Sequence, residues 1–380
     1  MAYTGTAVYD IYSNEIGEDV SAIVSLISPQ ATRFLDDIGD AETPIVSKYY
    51  TWEEKSLLPD TYTVSSAIAS SAAASGGIEV GANAAYLRVK DILRVVNSGE
   101  NILVTSIGAS TATIYVTRAY AGTTANSQAA GVSLQFIGSA LEEGTGTRTQ
   151  RRVGKSLKGN YVQIFREEID ISNLANNAKL KAPGQPAPFD EEVADKTSEV
   201  LKQLERSVLM GRTNGNTIGA DDAETTMAGI YYSIATNITS HATFTNSILN
   251  EMFNSVDTYT DLAGNVDKYG LYCGINAYRK ISNSRDSRIE QTSAETAAGV
   301  MPVETYMSDF GPVPVKYIRW LPTGTALLIR KDFVKVRPFA GNSFASRRYD
   351  LGALSQTGYV AGCYGLEFHQ ETAHGRFDGL

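Results

Sequence analysis

One segment of this sequence can form a helix long enough to run through a whole domain. Residues that can face a core recur at three- and four-residue spacing after Asp190, which predicts a helix with one buried face. They are Val193, Thr197, Val200, Leu201, Leu204, Val208 and Leu209. Asp190 suits the N-cap position and Gly211 ends the pattern. At about 1.5 Å per residue this spine helix would span about 30 Å, so much of the chain must pack along it.

The segments after the spine helix alternate between helix and strand patterns. We predict helices over 245–259 and from 276, and strands over 269–273, 313–318, 326–329, 333–336, 359–363 and 366–369. A short polar tail follows to residue 380, and His241 lies in a polar turn before the first of these helices. This order is typical of an α+β fold.

A compact set of strand patterns interrupts the chain before the spine helix. Ten of the eleven residues 65–75 are Ser or Ala, which predicts a linker. Four short runs rich in β-branched residues follow over 92–96, 102–107, 112–117 and 132–137. Their close spacing predicts a small barrel or sandwich inserted into a larger unit.

The first 48 residues contain only short apolar pieces, with helical patterns over 20–27 and 33–38. This arm is too short and too broken to bury a core of its own. Its apolar residues therefore need a surface elsewhere in the chain or on another chain.

Charge is unevenly distributed along the sequence. Lys and Arg number 33 against 42 Asp and Glu, a net charge of −9, which argues against a protein whose main task is to clamp nucleic acid. Residues 145–166 nevertheless carry six basic side chains and no acid. A segment of one sign needs a partner of the opposite sign, or else remains a solvated loop.

The sequence offers little for catalysis or metal binding. Only three histidines occur, and the five-residue spacing of His369 and His374 would not place both on one face of a strand or helix. Gly154-Lys155-Ser156 resembles the end of a phosphate-binding loop, but Thr149 stands where its first glycine belongs. We predict no enzyme, no cofactor and no metal site.

Membrane and secretory signals are also missing from the sequence. No run of about 18 apolar residues occurs, and the first 32 residues lack the Lys or Arg of a signal-peptide flank. We therefore expect synthesis in the cytoplasm and no membrane partner.

The order of the segments along the chain resembles that of the Hong Kong 97-type major capsid proteins of tailed bacteriophages. This order is an arm, an interrupted loop, the spine helix, the α+β region and the return strands. Segments 42–44 and 50–57 resemble the start of the extended loop in a podovirus-type branch of that family, and 159–166 its return strand. Segment 306–315 is similar to a strand of the family's axial domain, and 364–380 to the family's ending.

The resemblance implies a capsid fold in five parts. They are an N-terminal arm (1–48), an extended loop (49–62 and 139–182), an inserted β domain (63–138), a peripheral domain with the spine helix (183–225 and 330–380) and an axial domain (226–329). The inserted domain would either display a surface that reinforces the shell or be a tolerated insertion.

The implied function is self-assembly as pentamers and hexamers into an icosahedral shell, made in the host bacterial cytoplasm. The shell would enclose packaged double-stranded DNA without sequence specificity. Because the sequence starts at the arm, a separate scaffolding protein is expected, with a portal protein and decoration proteins as further partners. The alternatives are an encapsulin-like nanocompartment shell, a monomeric binding module and an enzyme.

The residue patterns lead to one hypothesis about subunit contacts. The basic stretch of one subunit would lie against the acidic start of a neighbour's spine helix, near the aromatic base of the extended loop. The residues concerned are Arg148, Arg151, Arg152, Lys155, Lys158, Glu191, Glu192, Asp195 and Trp52. The competing use of the basic residues is contact with DNA inside the shell.

Overall fold

The computed structural model describes residues 32–379 except 40, 42, 69–76, 109–111, 145, 147–149, 178–187, 216–223, 242–244, 284–304 and 350–354. The helices are α1 (Arg33–Ile38), α2 (Asn173–Asn177), α3 (Pro188–Met210), α4 (Ile230–Ser233), α5 (Asn246–Asp257) and α6 (Ile275–Asn283). The strands are β1 (Tyr49–Glu54), β2 (Thr61–Thr63), β3 (Gly77–Glu79), β4 (Asp91–Val95), β5 (Asn101–Ile107), β6 (Thr113–Thr117), β7 (Ser133–Ser139), β8 (Ser156–Tyr161), β9 (Gln163–Ser172), β10 (Ile238–His241), β11 (Tyr269–Cys273), β12 (Thr305–Ser308), β13 (Gly311–Tyr317), β14 (Thr325–Arg330), β15 (Val334–Pro338), β16 (Ala345–Tyr349), β17 (Ser355–Phe368) and β18 (Gly375–Gly379). The helix predicted over 20–27 lies outside the described residues.

The chain forms two compact units, one of residues 1–52 with 158–380 and one of residues 53–157. Among the described residues, no helix is long and apolar enough to span a membrane.

The 53–157 unit is built on one antiparallel sheet in the order β2-β7-β4-β5-β6-β3. The amide of Ser65, just after β2, donates to the carbonyl of Glu79 at the end of β3, at 2.8 Å. This bond joins the two edges, so the sheet curls into a barrel around one apolar core. The four predicted strands are confirmed as β4 to β7, whereas β2 and β3 were missed because three residues are too few to show an alternating pattern.

In the larger unit, α3 packs on a sheet formed by β9, β15, β16 and β17. The predicted spine helix is confirmed and starts at Pro188, so Asp190 lies in its first turn and is not the N-cap. Strand β17 is continuous over 14 residues, where the sequence predicted two strands. A side chain at Gly358 would approach the Phe189 ring to 2.7 Å, so this glycine gives the ring room against the strand.

A second sheet of the larger unit has the order β10-β18-β14-β11-β13-β12, with α5 and α6 against it. The predicted polar tail is wrong. Residues 375–379 form β18, which pairs with both β10 and β14. The tail looked polar because β18 contributes one large apolar residue, the buried Phe377. His241 ends β10 and does not lie in a turn.

Candidate assembly surfaces

Arg151 of the basic stretch is bound to the barrel through a buried carboxylate. Arg151 forms an ion pair with Asp91, whose side chain is fully buried at the start of β4. The same carboxylate accepts hydrogen bonds from the Arg88 amide at 2.8 Å and the Ser139 hydroxyl at 2.7 Å. The Arg151 guanidinium also lies 4.6 Å from the centre of the Phe136 ring. Arg151 is thus engaged inside its own chain.

The other basic residues of the stretch are placed differently. Lys155 pairs with Glu53 at the surface, in the same unit. Arg152 and Lys158 are exposed, and the structure records no ion pair for either of them with a described residue. Arg148 lies outside the described residues. Of the five basic residues that the hypothesis names, four are described, and two of these four are available to a partner.

The start of α3 presents the acidic side chains of the hypothesis. Glu191 is exposed, and Glu192 and Asp195 are half-buried. They lie near the positive end of the helix dipole, where negative charge is favoured. Asp190 is engaged, because it pairs with Arg348 of β16, whose guanidinium stacks 4.3 Å from the Phe189 ring.

Trp52 has a structural role at the base of β1. Its ring lies 5.9 Å from the ring of Tyr50 and 5.7 Å from that of His369. It packs on a small cluster that includes Ile45 and Val162. Trp52 therefore anchors β1 within its own chain.

A charged network next to Trp52, which the sequence did not reveal, holds the end of the arm. Glu367 accepts one hydrogen bond from Arg337 and pairs with His369, both at 2.6 Å. Arg337 also donates to the carbonyls of Thr43 at 2.8 Å and Pro44 at 3.1 Å. The His369 and Arg337 contacts lower the pKa of Glu367 to about 2 although the carboxylate is buried. The only sequence signal was Glu367 and His369 at the alternating spacing of an extended chain.

A second charged cluster holds α1, which lies earlier in the arm. Asp37 of α1 forms ion pairs with Lys316 at 2.5 Å and Lys331 at 2.9 Å, and accepts a hydrogen bond from the Tyr272 hydroxyl. Burial raises the pKa of Asp37, but these hydrogen bonds outweigh it, so the pKa lies below its ordinary value. Helix α1 and residues 43–45 are therefore part of the folded chain.

The histidines are placed as structural groups. His374 is fully buried, accepts a hydrogen bond from the Arg330 amide at Nδ1, and contacts the His369 carbonyl through Nε2. Burial lowers its pKa to about 3, so the ring is neutral. Within the described ranges, no group of three or more His, Cys, Asp and Glu side chains could hold a metal ion.

The chain is similar to known proteins in sequence and in fold. A family model described as SU10 major capsid protein matches residues 2–380. No curated protein matches the chain. The capsid of a native GTA particle is 8% identical, covers 99% of both chains and has a TM-score of 0.54, which shows a shared fold.

Two further solved structures have lower TM-scores. A chain from Mycobacterium phage Bobi is 9% identical over 98% of both chains, with a TM-score of 0.47. An encapsulin from Synechococcus elongatus is 12% identical over 59% of this chain and 75% of its own, with a TM-score of 0.41.

Proposed function

Because this chain belongs to the SU10 major capsid protein family, it is a bacteriophage capsid shell protein, and we propose that its copies assemble as pentamers and hexamers into an icosahedral shell around packaged double-stranded DNA. The predicted Hong Kong 97-type fold is confirmed. The family match over residues 2–380 is the observation that carries the proposal. The role is structural, with no chemical step assigned to any residue.

The charge of the chain suits a container for DNA. Binding to DNA depends on neutralising phosphates with Lys and Arg, and a chain of net charge −9 binds DNA weakly overall. Weak binding would let the packaged DNA move and leave. A scaffolding protein, a portal protein and decoration proteins are proposed partners, and assembly is proposed to occur in the host cytoplasm. The five-part division into arm, extended loop, inserted domain, peripheral domain and axial domain is likewise a proposal.

Sedimentation velocity and electron microscopy test this function on the full chain, expressed alone and beside its genomic neighbours. Closed shells in either sample, with DNA protected from nuclease in particles from infected cells, are the expected result. A monodisperse species near 41 kDa in both samples would contradict it. Shells that protect a cargo protein and no DNA would favour the nanocompartment.

We further propose which side chains join neighbouring subunits. Arg152 and Lys158 of one subunit would face Glu191, Glu192 and Asp195 of its neighbour. Each surface pair contributes only about 0 to 1 kcal/mol, but the same contact is repeated throughout a shell. Since such pairs are screened by salt, their effect is largest at low ionic strength. Arg151 and Lys155 are withdrawn from the original set because each already has a carboxylate partner in its own chain.

Reversing Arg152 and Lys158 together to glutamate should weaken or abolish shell assembly at low salt, since repulsion would replace attraction at each contact. The measurement is the fraction of protein that sediments as shells. A matched control reverses Lys335 and Arg347, which are exposed on other strands of the chain. Normal assembly by the first double variant, or equal loss in the control, would exclude these contacts.

A further inference from the structure

Glu205 is a buried carboxylate at a place where the spine helix meets the arm. Its residue is 1% exposed, and its apolar neighbours on α3 include the buried Leu204 and Val208. The carboxylate accepts hydrogen bonds from the backbone amides of Phe34 and Leu35, the latter at 3.5 Å. Among the described residues, no Lys or Arg forms an ion pair with it. The Glu205 carboxylate is thus removed from water, and its two amide hydrogen bonds compensate only weakly for the lost hydration.

The two amides belong to the first turn of α1, so Glu205 connects α3 directly to the arm. Two other contacts hold α1. The Phe34 ring is fully buried and meets the Tyr272 ring edge-on at 4.9 Å. Asp37 is compensated by two lysines. Of these three attachments, only the one at Glu205 buries a carboxylate without a cation.

We propose that Glu205 makes the attachment of the arm to the spine helix depend on protons: α1 is held firmly while Glu205 is neutral and is released more readily once Glu205 is ionised. In the docked state an ionised Glu205 would remain out of water with two amide donors. When α1 leaves, water reaches the carboxylate and solvates its charge. Ionisation therefore favours the released state.

The charges around Glu205 support the release of α1 on ionisation. Burial, followed by the like charge of Asp36, raises the pKa of Glu205 to about 7 against the lowering effect of the Leu35 and Phe34 amides. Arg206 on the same helix is engaged over the Trp320 ring at 3.9 Å. The remaining charged side chains on α1, on α3 near Glu205, and on β15 are Arg33, Asp37, Lys202, Lys335 and Arg337.

The sign of the pH effect follows from linkage. An acid with a higher pKa in the docked state binds more protons there, so docking weakens as pH rises through the interval between the two pKa values. The attachment is strongest below the ordinary Glu value of 4.5, weakens up to about pH 7 and is constant above that. This property resides in one subunit and stands independently of the shell contacts proposed above.

Trypsin cleavage at Arg33 measures release of the arm. Arg33 is the first basic residue of the sequence, and the bond that follows it lies inside α1, so cleavage requires α1 to open. We compare the full-length wild type with Glu205→Gln, which mimics the neutral acid. Taking their rate ratio at each pH cancels the pH profile of trypsin itself. The ratio should rise on the order of 50-fold between about pH 5 and 8 and then level off.

Two matched variants sharpen the test. Glu199→Gln, an exposed acid of the same helix, should follow the wild type at every pH. Asp36→Asn removes the like charge, so it should be released less readily than the wild type above about pH 6 and decides the question even if Glu205→Gln fails to fold. A flat ratio from pH 5 to 8, or faster cleavage of Glu205→Gln at every pH, would overturn the proposal.

Discussion

Replacing Arg151 with methionine should destabilise the 53–157 unit by about 3 kcal/mol, because the buried carboxylate of Asp91 would lose its cation. Asp91 is 0% exposed, so its charge depends on partners inside the protein. Its bonds from the Arg88 amide and the Ser139 hydroxyl would remain. Methionine retains an apolar stem that can stay against Phe136, so the loss reports chiefly on charge.

Hydrogen exchange followed by mass spectrometry locates this loss in β4 and β7, which pair with each other in the barrel. A change of about 3 kcal/mol corresponds to exchange that is on the order of 100-fold faster for amides that open with the whole unit. Arg152→Met, the exposed neighbour, should leave exchange unchanged. Adding Asp91→Asn to Arg151→Met should restore part of the protection, since no charge is then buried. Equal protection in Arg151→Met and Arg152→Met would contradict the prediction.

The role of Arg151 shows what a charge pattern can and cannot predict. Six basic residues without an acid predicted either a segment that needs opposite charge or a solvated loop, and Arg151 follows the first alternative. The partner of Arg151, however, is Asp91, which precedes it by 60 residues in the sequence. That pairing depends on the register of the barrel strands, which no local count of charges contains. For the same reason the sequence did not pair Lys155 with Glu53.

Periodic patterns predicted the regular elements well where they were long and buried on one face. The spine helix and β4 to β7 follow from such patterns, because each has several apolar residues at one fixed spacing. Strand β16 was missed because it has no large buried residue: four of its five residues are exposed. Strand β17 was predicted as two shorter strands, 359–363 and 366–369, but it runs unbroken and its glycines leave room for aromatic rings.

The arm presents the clearest choice that the sequence left open. Its apolar residues needed a surface on the same chain or on another, and composition cannot distinguish the two. For residues 33–38 the structure favours the same chain: Phe34 enters the core between α3 and the sheet of β9, β15, β16 and β17. The deciding contacts are with Glu205 and Tyr272, which follow α1 by more than 150 residues in the sequence.

Replacing Phe34 with alanine should therefore lower the free energy of unfolding of the larger unit by about 3 to 5 kcal/mol, since a fully buried ring would leave a cavity and lose its contact with Tyr272. Urea denaturation followed by tryptophan fluorescence measures this loss, because Trp320 packs against the same core. Val46→Ala is the matched control in the arm: Val46 is 80% exposed, so the change should stay within about 0.5 kcal/mol. A loss below about 1 kcal/mol for Phe34→Ala would mean that α1 contributes little to the isolated subunit, and that the arm obtains its stability from a neighbouring chain.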